Sequence, residues 1–120
     1  MTRINCIPVE ELTNKHLIAE YREMLRFRHV YPRNTNPIIP SEYVLGKGHV
    51  TFFFDKGGYL LKRHSQLIKE MNVRGYKTNF SLDLSDWPKD CLNDWKPDDV
   101  AIRINRERIF ERLNKNKKEI

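Results

Sequence analysis

With 120 residues, 39% of them hydrophobic and 32% charged, the chain is long enough to bury a core without disulfide or metal staples, and it suits one soluble domain spanning 1–120. Its 22 Lys and Arg against 16 Asp and Glu leave a net charge of +6, which favours a polyanionic partner over a neutral metabolite. No run is apolar enough for a signal peptide or membrane span, and Cys6 and Cys91 form neither a CxxC pair nor a disulfide framework, so a cytoplasmic protein with reduced thiols is expected.

Thr2 follows Met1, and a methionine before so small a residue is normally trimmed. The exposed α-amine would be a nucleophile of low basicity, with an unperturbed pKa of about 7.7–8.0. Apolar spacing then predicts a first helix from Thr13 to His29, ended by Tyr31-Pro32. At about 100° per residue, Leu17, Ile18, Tyr21, Met24 and Leu25 share the core-facing arc. Lys15, Arg22, Arg26 and His29 fall on an adjoining seam, and His16, Glu20 and Glu23 occupy the strip beside it. A row of cations on one helix face suits a phosphate track; the plainer alternative is a solvated face with weak ion pairs.

From Pro32 to Gly48 the prolines, glycines and asparagines predict a long structured loop, with Gly46-Lys47-Gly48 a tight turn. The apolar run His49 to Phe54 reads as a buried extended piece or a helical turn. Asp55 is the expected N-cap of a second helix closed by Gly75, its first turn weakened by Gly57-Gly58. Leu60, Leu61, His64, Leu67, Ile68 and Met71 follow core spacing in it, which makes His64 a core histidine. Residues 76–100 look irregular; Trp87 and Trp95 there either stack bases or plug the core.

A third helix is expected from Asn105, as its cap, to Lys117, with Ile109, Phe110 and Leu113 inward and Arg108, Arg112 and Lys115 opposite. The fold expected is all-α: a compact single domain of three main helices with long irregular loops. His16, His29, His49 and His64 show no metal-ligand spacing, and Asp83, Asp86, Asp98 and Asp99 form no convincing pair for magnesium, so no metal is expected.

With these residues laid out, the chain resembles the pyrimidine-dimer DNA glycosylase family, which is endonuclease V-like. The resemblance is densest in Thr2-Arg3-Ile4-Asn5 and in the block His16 to Glu23. It resumes at Leu45 to Phe53 with Asp55-Lys56, continues through Leu61-Lys62-Arg63 to Arg74-Gly75, and loosens from Ala101 to Arg112. It implies a mainly helical domain whose amino terminus threads between helices. The activity implied is removal of a damaged pyrimidine base followed by strand scission, with neither metal nor organic cofactor. By the same resemblance the Thr2 α-amine is the nucleophile and Glu23 the catalytic carboxylate. Arg3, Arg22, Arg26, Arg108 and Arg112 match positions that grip DNA phosphates, and Lys15 and His16 join that DNA-binding set from their place on the first helix. The partner implied is lesion-containing double-stranded DNA, met by a monomer in the cytoplasm of a bacterial or phage-infected cell. Relatives carry Leu-Pro-Arg where this chain has Met24-Leu25-Arg26, so the first helix is expected to run on unkinked. Two other readings stand beside the enzyme: a silent basic module that binds distorted duplex, and a metal-dependent nuclease.

Overall fold

The computed structural model describes residues 4–28 and 39–118, and side chains as far as Leu113. Thr2, Arg3 and His29 lie outside the described residues, as does the side chain of Lys115. Four α-helices form among the described residues: α1 (Asn14–Met24), the short α2 (His49–Phe52), α3 (Gly57–Val73) and α4 (Asp99–Lys118). About sixty per cent of the described residues are helical and no strand forms among them; the all-α expectation holds. The three long helices are the expected ones, and α2 settles the His49 to Phe54 run as helical, continued by a 3₁₀ turn over Phe53–Asp55.

Thr13 caps α1, its hydroxyl accepting the His16 N–H at 3.2 Å. Leu17, Tyr21 and Met24 are buried as the spacing required, and Ile18 and Leu25 are half-buried. The helix is shorter than expected. It tightens at Leu25 into a 3₁₀ turn over Leu25–Arg28, so the absence of proline does not let the α-helix run on. The turn carries Phe27 into the core against Phe53 and Trp87.

The α3 N-terminus departs from expectation more instructively. Asp55 does not cap it; Lys56 stands at that position without a side-chain cap. Gly57 and Gly58 are instead where the 91–93 segment passes. A Cβ at Gly57 would meet Leu92 Cδ2 at 2.6 Å, and one at Gly58 would meet the Leu92 carbonyl oxygen at 2.7 Å. Residues that looked like a weakened first turn are a close-packing device. Leu60, His64, Leu67 and Met71 are buried, whereas Leu61 is exposed. Arg63, at the same heptad face as Leu60 and Leu67, is buried as well.

Helix α4 begins six residues before the expected cap. Asp98 Oδ1 accepts the Ala101 N–H at 2.8 Å, so Pro97-Asp98 is the true start signal and Asn105 lies inside the helix, fully buried. The inward face is Ala101, Asn105 and Ile109; Phe110 and Leu113 are exposed, contrary to the expected pattern. Beneath α4, residues 4–7 run through the core: Ile4, Asn5, Cys6 and Ile7 are all buried. An aromatic cluster lies alongside, in which Tyr43 stacks on Trp95 and Phe53 on Tyr59. Trp87 is therefore a core plug, whereas Trp95 is half-buried and packs against the core; both cysteines are free thiols. Gly46 and Gly48 take φ of 75° and 90° in the turn that the sequence marks there, closed by His49 N–H donating to the Gly46 carbonyl.

Candidate nucleic-acid interface and its cavity

The 4–7 segment is tied at every residue. Ile4 N–H donates to His49 Nε2 at 2.8 Å, while His49 Nδ1 donates to the Val44 carbonyl at 2.8 Å, which fixes the neutral tautomer. Tyr43 and Tyr59 hydroxyls donate to the carbonyls of Ile4 and Asn5 at 2.9 and 3.0 Å. Asn105 Oδ1 accepts the N–H groups of Cys6 and Ile7, and its Nδ2 donates to Asn5 Oδ1 at 2.7 Å. Burial among these groups pushes the Cys6 thiol up to about 12, so it stays protonated and inert.

Asn5 also donates to Glu20 at 2.8 Å, and Glu20 receives a two-pronged grip from Arg63, at 2.8 and 3.1 Å. Arg63 spends its remaining reach on the Ile7 carbonyl. Burial alone would lower its pKa, but the charge and hydrogen bonds of Glu20 reverse that and hold it above its ordinary value. Helix α1, α3 and the N-terminal segment are thus joined through one buried ion pair whose polar atoms are satisfied.

Because residues 4–7 lie between α1 and α4, the two helices stand apart and leave a cavity of about 140 Å³. His16, Ala19, Glu20 and Glu23 line it from one face of α1, at i, i+3, i+4 and i+7. Arg108, Ile109 and Arg112 line it from α4, and Asn5 forms its floor. Glu23 pairs with Arg26 at 2.9 Å and is about one-quarter exposed. His16 is held by Thr13, Oγ1 to Nδ1 at 2.7 Å; burial, then Lys15 and Arg112, lower its pKa and keep it neutral at pH 7. The Nε of Arg108 is buried and makes no hydrogen bond within the described protein.

Of the residues singled out in the sequence, the cavity gathers Glu23, His16, Arg108 and Arg112. Lys15 and Arg22 on α1, and Arg26 in the 3₁₀ turn that follows it, are exposed outside the cavity. Thr2 and Arg3 precede Ile4 and lie outside the described residues. Sequence reasoning placed Glu20 on a surface strip and Asn105 at a cap and gave Asn5 no role, although a carboxylate beside an apolar arc and Arg63 inside another could have been matched. Among the described residues no three His, Cys, Asp or Glu side chains gather as a metal site. Asp83 instead accepts the Ser85 N–H, and Asp98 caps α4.

The sequence profile of one family, described as pyrimidine dimer DNA glycosylase, matches residues 1–84. The chain belongs to the pyrimidine dimer DNA glycosylase family. The matched stretch holds the N-terminal segment, all of α1 and the Glu20–Arg63 pair. This glycosylase acts on DNA, a polyanion that its net charge of +6 suits. The α4 side chains of the cavity lie beyond residue 84, so a wall of the cavity comes from outside the matched stretch. No helix among the described residues is long and apolar enough to cross a membrane.

Proposed function

We propose that the chain removes a damaged pyrimidine, foremost a cyclobutane dimer, and then cuts the strand as an abasic-site lyase. The supporting observation is the tethering of Ile4 to Ile7 under the cavity that Glu23 lines. Thr2 stands three residues before Asn5, which lines that cavity.

With Met1 removed, the neutral Thr2 amine attacks C1′ of the damaged nucleotide. The C1′–N bond to the base breaks, the base leaves with the bonding pair and takes a proton, and the sugar ring opens to a Schiff base. That cation acidifies the C2′ proton. Its loss to a base expels the 3′ phosphate oxygen with the C3′–O electron pair and breaks the strand. Glu23 stabilises the positive charge at C1′ and carries protons, while Arg108 and Arg112 with Arg3, Arg22, Arg26, Lys15 and His16 hold the DNA. The cations also disfavour the protonated amine, leaving more of it nucleophilic near pH 7. No metal or organic cofactor enters any step. The protein acts as a single 1–120 domain and a monomer, in the cytoplasm.

Borohydride treatment with abasic duplex should give a covalent adduct whose mass equals protein without Met1 plus the DNA fragment. Glu23→Gln should bind damaged DNA but cut it at least about a hundredfold more slowly, as general acid–base losses do. Absence of an adduct from correctly trimmed protein rejects the catalytic reading. A second reading rests on the 2.9 Å Glu23–Arg26 pair: Glu23 there only neutralises a cation on a silent binding surface. It predicts no strand cleavage by either protein, and DNA binding that Glu23→Gln does not weaken.

A further inference from the structure

Residues 4–7 belong to no helix, so each buried backbone group on them needs a partner from elsewhere. For the N–H groups of Cys6 and Ile7 that partner is Asn105 on α4, and for the Asn5 carbonyl it is Tyr59 on α3. Ile4 is served differently. Its N–H donates to His49 Nε2 and its carbonyl accepts from the Tyr43 hydroxyl, so one stretch of chain, 43–49, grips both sides of the residue. Thr2 stands two positions before it.

The grip is stiffly built. Tyr43 stacks on Trp95 with centroids 5.9 Å apart, and crosses Phe52 and Phe53 at interplanar angles of 90° and 78°. The His49 ring crosses both Tyr43 and Phe53 at 5.5 Å, and its second nitrogen is spent on the Val44 carbonyl. Between the two gripping rings the chain turns at Gly48, whose φ of 90° suits no other residue and where a Cβ would meet Pro40 Cγ at 3.2 Å. His49 is 1% exposed and Tyr43 4%, so neither ring offers DNA a surface. Whatever they contribute to the reaction passes through Ile4.

We infer that Tyr43 and His49 are positioning residues, which fix the Ile4 peptide groups and thereby aim the Thr2 amine at the sugar carbon beside Glu23. The inference rests on the lyase reading, because it gives the clamp a role only where that amine is the nucleophile. With Ile4 fixed, the torsions of Thr2 and Arg3 are the backbone freedom left to freeze before attack. Misplacing a nucleophile by about 1 Å costs about a hundredfold in rate. Such a loss falls on the chemical step and leaves DNA affinity unchanged.

The test follows borohydride capture of the trimmed full chain on abasic duplex, in single turnovers at saturating protein, beside anisotropy measurements of DNA affinity. Tyr43→Phe removes one hydroxyl and keeps the ring in its cluster; capture should slow about tenfold, with affinity within about twofold of wild type. His49→Leu removes the acceptor for the Ile4 N–H and should slow capture about a hundredfold. His49→Gln, whose amide oxygen can accept that N–H, should recover most of the loss while still melting below wild type. A purely structural role would track melting temperature instead of the acceptor. Should His49→Leu fail to fold, Tyr43→Phe and His49→Gln decide the matter. Capture by Tyr43→Phe at the wild-type rate, or slowed capture that a higher protein concentration restores, overturns the inference. Wild-type capture with unaffected variants removes the clamp's role alone, whereas no capture by trimmed wild type removes the lyase reading and that role with it.

Discussion

Asn105 Nδ2 donates to Asn5 Oδ1 at 2.7 Å, joining the C-terminal helix to the N-terminal segment across one hundred positions of sequence. The same amide accepts two backbone N–H groups, from Cys6 and Ile7, so one side chain satisfies three buried polar groups. Replacing it by alanine leaves those groups unpaired in the core. At about 1–3 kcal/mol for each unsatisfied group, with some relaxation, Asn105→Ala should lose about 2–4 kcal/mol of stability. Urea unfolding measures it. Asn105→Asp keeps the acceptor but loses the donor to Asn5, and should fall between alanine and wild type. A loss below about 0.5 kcal/mol for alanine would mean that α4 does not depend on this clamp.

The Glu20–Arg63 pair should respond with the asymmetry of buried ion pairs. Either partner removed alone strands the other charge in the core, so Glu20→Gln or Arg63→Met should cost about 3–5 kcal/mol. The double variant should cost clearly less than the sum. A double-mutant cycle by chemical denaturation reads the coupling, and strict additivity would show that the two side chains act independently despite their 2.8 Å contact.

Acid should unfold the protein partly through His64. Its Nδ1 accepts the Leu82 N–H, and burial lowers its pKa below the ordinary 6.5 although the Tyr21 carbonyl pulls the other way. The folded state therefore prefers the neutral ring more than the unfolded chain does. Stability from this source is complete above the unfolded value and declines as pH falls through 6.5 toward the lower folded value. The melting temperature should drop between pH 7 and 5, and His64→Gln, though less stable at pH 7, should show a shallower drop. Equal slopes in both proteins would assign the acid sensitivity elsewhere.

Much of this arrangement was legible in the sequence because it follows local rules. The first helix starts within one residue of the expected Thr13, the 17, 21, 24 spacing buried its face, and His64 read as a core histidine. The misreadings share one cause, which is that long-range partners override local signals. Asn105 looked like a cap because asparagine favours caps, yet it is a buried bridge to residues about one hundred positions away. Arg63 carries a charge at a core position, and only Glu20, forty-three residues earlier, makes that burial tolerable. Phe110 fitted the inward pattern of α4, but the helix packs through a narrower stripe of Ala101, Asn105 and Ile109 on the threaded N-terminal segment. Glu23 was legible as a carboxylate beside a basic seam. That it faces Arg108 and Arg112 across a cavity depends on residues 4–7 holding α1 and α4 apart, which no local pattern encodes.

Arg108 separates binding from stability most sharply. Its buried Nε makes no hydrogen bond within the described protein, a cost carried in the free state and relieved when an anionic oxygen reaches the cavity. Arg108→Ala removes the orphaned donor, so the melting temperature should stay level or rise slightly. Affinity for duplex DNA should fall, and the log–log salt slope should flatten by about 0.9 if one phosphate contact is lost. Arg112→Ala, exposed at the cavity rim, should flatten the slope similarly with no change in melting. Fluorescence anisotropy at several salt concentrations, beside thermal melts of the same preparations, gives both quantities. If Arg108→Ala instead melts lower while binding DNA with an unchanged slope, the arginine is a packing element of α4, and the cavity is not where the phosphates sit.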